Sequence, residues 1–134
     1  MLGANDLRDA TARRKLATLS IQQLDLPGLA IAARLRQLGV DTLIVDREAR
    51  IGDNWRKRYH ALVLHNQVHV NHLPYMPFPP TWPTYIPKDK LAGWFEAYAE
   101  GLELNFWTGT EFEGGAYDEK AGCWTVRLRR NGAV

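Results

Sequence analysis

Apolar and polar positions divide the chain into stretches of different period. Leu7, Ala10, Leu16 and Leu19 recur at loosely helical spacing, which predicts a helix over 6–19. Pro27 stands where a second helix can begin, because its missing N–H costs nothing in a first turn. Ala30, Ala32, Ala33 and Leu35 are good helix formers, and Gly39 falls where a left-handed cap would end the helix predicted over 27–38. Leu43, Ile44 and Val45, opened by Thr42 and closed by Asp46, form a short apolar run. That pattern fits a strand buried on both faces of a parallel sheet. Helix then strand is an αβ unit, and a preceding strand would make it βαβ. Residues 18–24 are the candidate, but Gln22 and Gln23 make a poor buried strand because their amides would need partners.

Tyr75–Pro83 is too rich in proline for helix or central strand. It reads as a stiff extended loop that packs its aromatics on the body of the protein. Lys88–Glu100 reads as a helix with Leu91, Trp94, Phe95 and Tyr98 on one face and Gly101 after it. Leu104–Trp107 reads as a short strand. Glu111–Tyr117 and Cys123–Leu128 read as paired strands joined through Asp118–Gly122.

Composition narrows the class. The 134 residues suit one domain, and 46% apolar with 24% charged residues is ordinary for a globular chain. A net charge of +2 gives no case for nucleic acid or an anionic membrane as the main partner. No apolar run approaches the ~20 residues of a membrane span. The single cysteine, Cys123, excludes an internal disulfide framework and a cysteine zinc cluster. It fits a reducing compartment, and with no secretory signal pattern at the start the expected location is cytoplasmic.

The order strand candidate, helix, strand, acid is the frame of a dinucleotide-binding βαβ unit. Asp46 follows Gly28 by 18 positions, near the ~20 expected between the glycine motif and the acid that binds a ribose hydroxyl. The motif is broken: with Gly28 as its third glycine, the first two positions hold Gln23 and Asp25. A side chain at 23 strains the turn, and a carboxylate at 25 would face two phosphate charges. On spacing alone, the competing reading is an αβ piece in which Gly28 permits close packing and Asp46 caps a loop.

A longer series of residues is more specific. Gly28–Gly39, Thr42–Asp46 and Arg50–Trp55 resemble the FAD-binding front half of the flavin-containing monooxygenases. Leu64-His65, Leu73-Pro74, Met76–Pro79, Trp82-Pro83, Tyr85 and Pro87-Lys88 are similar to the branch that holds the plant YUCCA-type indole-pyruvate monooxygenases and their relatives. The resemblance covers about three quarters of the chain, the aromatic helix included. It implies an α/β fold: a partial Rossmann-like FAD-binding domain over 27–134 with a small antiparallel strand pair, after an atypical segment 1–26. It implies that Gly28 matches the third fingerprint glycine, that Asp46 binds the adenosine ribose, and that Arg47 lies near the adenine. Gly52, Asp53 and Trp55 match a G-G-x-W segment along the flavin, with Asp53 in place of the second glycine. Arg56 would also face the FAD, and Trp107–Thr110 would meet the adenine. His65 and Asn66 fall where the family brings catalytic residues near the isoalloxazine.

In the complete family, NADPH reduces the FAD, and a flavin C4a-hydroperoxide then inserts one oxygen atom into a small-molecule substrate. Two departures stand against that activity here. The first two glycines and a convincing first strand are missing, and the chain reaches Val134 before the family's NADPH-binding domain would come. The expectation is therefore a truncated relative, altered at its N-terminus, whose FAD binding is weak or lost. The alternative is a non-catalytic remnant or a module that depends on a partner. Without its first strand the sheet would have an uncovered edge, which predicts marginal stability or self-association unless the helix over 6–19 covers that face.

Other signals carry bland readings. His60, His65, His69 and His72 lie within 13 residues, and on a helix three of them could hold zinc. The strand-like Leu62–Leu64 and Val68–Val70 favour ordinary loop histidines instead. Trp94, Trp107 and Trp124 read as packing residues, while Trp55 and Trp82 are candidates to line a flavin pocket. Cys123 reads as buried, and Arg127, Arg129 and Arg130 as a solvated strand edge.

Overall fold

The computed structural model describes residues 17–20 and 26–130. Strand β1 (Ala17–Ser20) is followed by helix α1 (Leu26–Gln37) and strand β2 (Thr42–Val45). β1 runs parallel to β2 in unbroken register from Ala17 opposite Thr42 to Ser20 opposite Val45. The βαβ unit is thus complete, which corrects two expectations. Residues 17–19 are strand rather than the end of a helix over 6–19, whose earlier part lies outside the described residues. The first strand lies one residue N-terminal to the 18–24 candidate and ends at Ser20, before Gln22 and Gln23.

α1 is ended by geometry that its sequence specifies. Gly39 adopts φ +70°, its N–H bonds Arg36 O at 3.0 Å, and Val40 N–H reaches back to Leu35 O at 3.0 Å. These two bonds satisfy carbonyls that the last turn would leave open, and glycine takes the left-handed position without a Cβ clash. Leu43, Ile44 and Val45 are buried, as a strand covered on both faces requires. β5 (Phe106–Trp107) pairs parallel on the other side of β2, so the sheet order is β1-β2-β5. This is half of a doubly wound dinucleotide fold, the 3-2-1 side of its strand order.

Between β2 and β5 the chain forms α2 (Asp53–Arg56), β3 (Val63–Gln67), β4 (Tyr85–Pro87) and α3 (Lys88–Gly101). The antiparallel β3–β4 pair was not predicted, because histidines and prolines mask its alternation. The loop between them behaves as expected of a stiff strap. Phe78 is buried and stacks on Trp82 with ring centroids 4.8 Å apart, and Trp94 of α3 closes the cluster at 5.5 Å from Phe78. Tyr98 fastens the strap by donating its hydroxyl to Pro74 O at 2.8 Å. Leu91, Phe95, Tyr98 and Ala99 of α3 share one core with Leu29, Ala32 and Ala33 of α1 and with Ile44 of β2.

β6 (Thr110–Asp118) and β7 (Cys123–Arg130) form the expected antiparallel pair, longer than predicted and joined by four residues rather than five. Asp118 Oδ1 accepts the N–H groups of Lys120 and Ala121, and Gly122 closes the turn at φ +63°. The hairpin corrects two burial expectations: Cys123 is exposed, and Trp124 is 68% exposed beside Tyr117. A two-stranded ribbon that projects from the body has no second layer to cover its tip.

Candidate functional site

Asp46 occupies the C-terminal end of β2, the edge at which open α/β sheets bind ligands. Its backbone is gripped from both sides of the turn. Asp46 N–H bonds Trp107 O at 2.9 Å, and Asp46 O accepts Thr110 N–H at 2.8 Å. Gly109 N–H bonds Glu48 O at 2.8 Å, so the end of β5 and the loop after β2 are one braced unit. Only 1% of Asp46 is exposed, and its Oδ1 accepts Glu48 N–H at 3.0 Å. Burial pushes its carboxyl above the ordinary value, and the Glu48 amide bond pulls part of the way back. A buried carboxylate with an upward shift at a strand end is a group poised to take a further donor.

Arg47 beside it is exposed and 3.9 Å from Glu48, while Glu48 also pairs with Lys57. Gly28 is buried in the first turn of α1, a turn that carries no acidic residue. The positions of the broken motif, Gln23 and Asp25, lie outside the described residues.

Gly52 precedes α2 at φ +81°, and a Cβ there would stand 2.7 Å from Ala92 O and 2.8 Å from Ala92 Cα. Glycine is therefore required by the close approach of this turn to the backbone of α3. Asp53, where the family pattern has a second glycine, lies in the first turn of α2 and accepts Arg56 Nη1 at 3.0 Å. Trp55 packs against the core with the Arg58 guanidinium 5.6 Å from its ring centroid. Its indole Nε1–H is buried without an acceptor among the described residues. The indole Nε1–H of Trp94 in the aromatic strap is in the same state, so the orphan donor of Trp55 fits a further acceptor but does not by itself mark a site.

Arg56 places three of its five donors inside the chain. Nη1 bonds Ile51 O at 2.6 Å as well as Asp53, and Nη2 pairs with Glu96 of α3 at 2.8 Å. Glu96 also receives Arg50 at 3.0 Å. Lys88, buried in the first turn of α3, donates to Arg56 O at 2.8 Å and to Asp89 at 2.8 Å. Sequence reasoning did not single out Glu96 or Ala92. A helical stripe at 88, 92 and 96 is visible in the sequence, but nothing there names the loop it meets.

His65 and Asn66 sit on β3 with exposed side chains, apart from the Asp46 turn in the chain order of elements. The carbonyl of Asn66 accepts from the amide of Asn71 at 3.3 Å. His72 Nδ1 accepts Phe78 N–H at 3.2 Å and so belongs to the strap. Among the described residues no group of three His, Cys, Asp or Glu side chains could hold a metal ion. None of their helices is long and apolar enough to cross a membrane.

The geometry defines a class: a partial Rossmann-like unit of the kind that binds FAD in flavin monooxygenases. No family model matches the chain. The chain is 38% identical over 102 residues to indole-3-pyruvate monooxygenase YUCCA1 of Oryza sativa subsp. japonica, covering 75% of this chain and 25% of that protein. It is 32% identical over 127 residues to indole-3-pyruvate monooxygenase YUCCA6 of Arabidopsis thaliana, covering 92% of this chain and 30% of that protein. The fold matches a flavin-containing monooxygenase from Stenotrophomonas maltophilia with a TM-score of 0.74 at 19% identity, over 86% of this chain and 33% of that one. It also matches a bacillithiol disulfide reductase from Bacillus cereus with a TM-score of 0.76 at 13% identity, over 89% and 36%. The fold alone is thus shared by a monooxygenase and a disulfide reductase, and the finer likeness lies in the sequence identity to the YUCCA proteins. The chain corresponds to a YUCCA-like segment of the flavin-containing monooxygenases, spanning about a quarter of the length of the curated relatives it matches.

Proposed function

We propose that this chain forms the adenosine-side half of an FAD site in a flavin-dependent, NADPH-using monooxygenase that acts on a small-molecule substrate. The observation that carries the reading is the buried Asp46 carboxylate, braced by Trp107 and Thr110 at the C-terminal end of a complete βαβ unit. The residues present fit the group. Asp46 would accept a ribose hydroxyl, with its Oδ1 already oriented by Glu48 N–H. The first turn of α1, where Gly28 is buried, would face the pyrophosphate, with Asp25 just before it as the position that opposes the phosphate charge. Trp55 would give its orphan indole N–H to the cofactor, and Gly52 and Asp53 would carry the turn that presents it. Arg47 would lie at the adenine side.

When bound, the flavin supplies the activation of dioxygen and the transfer of one oxygen atom to substrate. The protein's own part is to hold the ribose, orient the ring and exclude water. His65 and Asn66, whose side chains are exposed, would act on the ring side. That exposure also supports a second reading, a partner-dependent module or non-catalytic remnant. The proposed unit is residues 27–134 joined to β1 from the segment before it. The exposed thiol of Cys123 fits a reducing, cytoplasmic setting.

Titration of the purified chain with FAD, followed by flavin fluorescence, tests this. Weak binding is expected, tightened by Q23G/D25G, which restores both missing glycines. If neither protein binds at hundreds of micromolar, the flavin site is lost and the remnant reading stands.

A further inference from the structure

We infer that Glu96 of α3 is the positioning residue of the candidate flavin segment, and that Arg56 acts on that site through Glu96 rather than by touching the cofactor. The inference rests on the flavin reading for its functional sense and on geometry for its substance. Lys88, Ala92 and Glu96 are spaced at i, i+4 and i+8, so they form one stripe along α3. Each meets the turn at 50–56. Lys88 Nζ holds Arg56 O at 2.8 Å, where α2 would leave a carbonyl open. The backbone of Ala92 lies so close to Gly52 that no Cβ fits between them. Arg50 grips both oxygens of Glu96, Nε on Oε1 at 3.1 Å and Nη2 on Oε2 at 3.2 Å, and Arg56 Nη2 shares Oε2 at 2.8 Å.

The arginine side of the pair is equally committed. Arg56 Nη1 is shared between Ile51 O and Asp53 Oδ1, and Nη2 goes to Glu96. A guanidinium has five N–H donors in a fixed fork. Three of the five are engaged inside the chain, and through them Arg56 tethers the turn before α2 to the helix behind it. The side chains are only partly exposed, 21% for Arg56 and 27% for Glu96, so this pair is less screened than one at the open surface. Trp55, whose buried indole N–H has no acceptor among the described residues, sits inside the tethered turn. A shift of that turn by a fraction of an ångström would move the donor away from its acceptor.

A direct phosphate contact by Arg56 predicts the opposite pattern, because loss of Glu96 would then free the guanidinium for the anion. The test is a double-substitution cycle with R56Q, E96Q and R56Q/E96Q, read by FAD titration and by amide hydrogen exchange without FAD. E96Q is expected to weaken FAD binding about tenfold, with R56Q no worse and the double variant no weaker than E96Q alone. Exchange is expected to quicken in both single variants at Trp55, Arg56 and Lys57, whose N–H groups bond Gly52 O, Gly52 O and Asp53 O. The amides of β2 should keep their rates, which separates a local tether from loss of the whole fold.

Unchanged or tighter FAD binding by E96Q, with loss in R56Q, would overturn the inference. So would exchange that rises equally in β2. If the unaltered chain binds no FAD, the flavin reading fails, while the exchange data still decide the tether. Should E96Q not fold, R50Q/R56Q removes the same two pairs from the other side and is read in the same way.

Discussion

At the scale of the residue, Asp46 combines burial with a charge. Burial sets its folded carboxyl above the ordinary value of 3.8, so the folded chain holds the proton more tightly than the unfolded one. Stability from this group therefore falls as pH rises from that ordinary value through the folded one. D46N keeps an acceptor for Glu48 N–H and removes the buried charge. Relative to the unaltered chain, D46N is expected to be more stable at pH 7 than at pH 4 in thermal melts. Its FAD binding is expected to weaken about tenfold or more, since a charge-assisted hydrogen bond is lost. If D46N matches the unaltered chain in FAD affinity, Asp46 is a loop cap and not a ribose ligand.

At the scale of the element, two glycines in left-handed conformation do different work. Gly39 ends α1 at φ +70°, and a Cβ there would meet open space. Gly52 opens α2 at φ +81° and lies against the backbone of α3. G39A should cost about 1 kcal/mol, the strain of the backbone alone. G52A should cost about 3 kcal/mol, because α3 must also move. Urea unfolding curves with unchanged slope would measure both, and equal costs would show that the Gly52 contact yields easily. The position of Gly39 after the run of alanines announces its role. The partner of Gly52 lies 40 positions further on, in a helix whose own pattern is explained by its core face.

At the scale of the whole molecule, the completed βαβ unit removes the original reason for expecting self-association, but other reasons remain. β1 has one neighbour among the described residues, β2, so none of them pairs with its outer edge. Tyr117 and Trp124 expose a ring pair at the tip of the β6–β7 hairpin. Sedimentation velocity is expected to show mass rising with concentration, and less so in W124S. A monomer at all concentrations would mean that neither surface associates.

Much of this architecture could be read along the chain because it depends on local period and local chemistry. The apolar run at 43–45 predicts a buried strand, and the spacing of Leu91, Phe95 and Tyr98 predicts one buried helix face. The sequence by itself also determined the resemblance to the flavin monooxygenases, through the ordered series from Gly28 to Lys88. Three things only the tertiary structure decided. β1 is a strand because β2 supplies its hydrogen bonds, although its own residues give a weak pattern. Asp46 is a buried, braced carboxylate because the end of β5 folds back onto it, about sixty residues after it in the chain. Arg56 is a tether because α3 brings Glu96 to it. Pairing energy between distant segments leaves little trace in local periodicity, so such contacts appear only when the chain is folded.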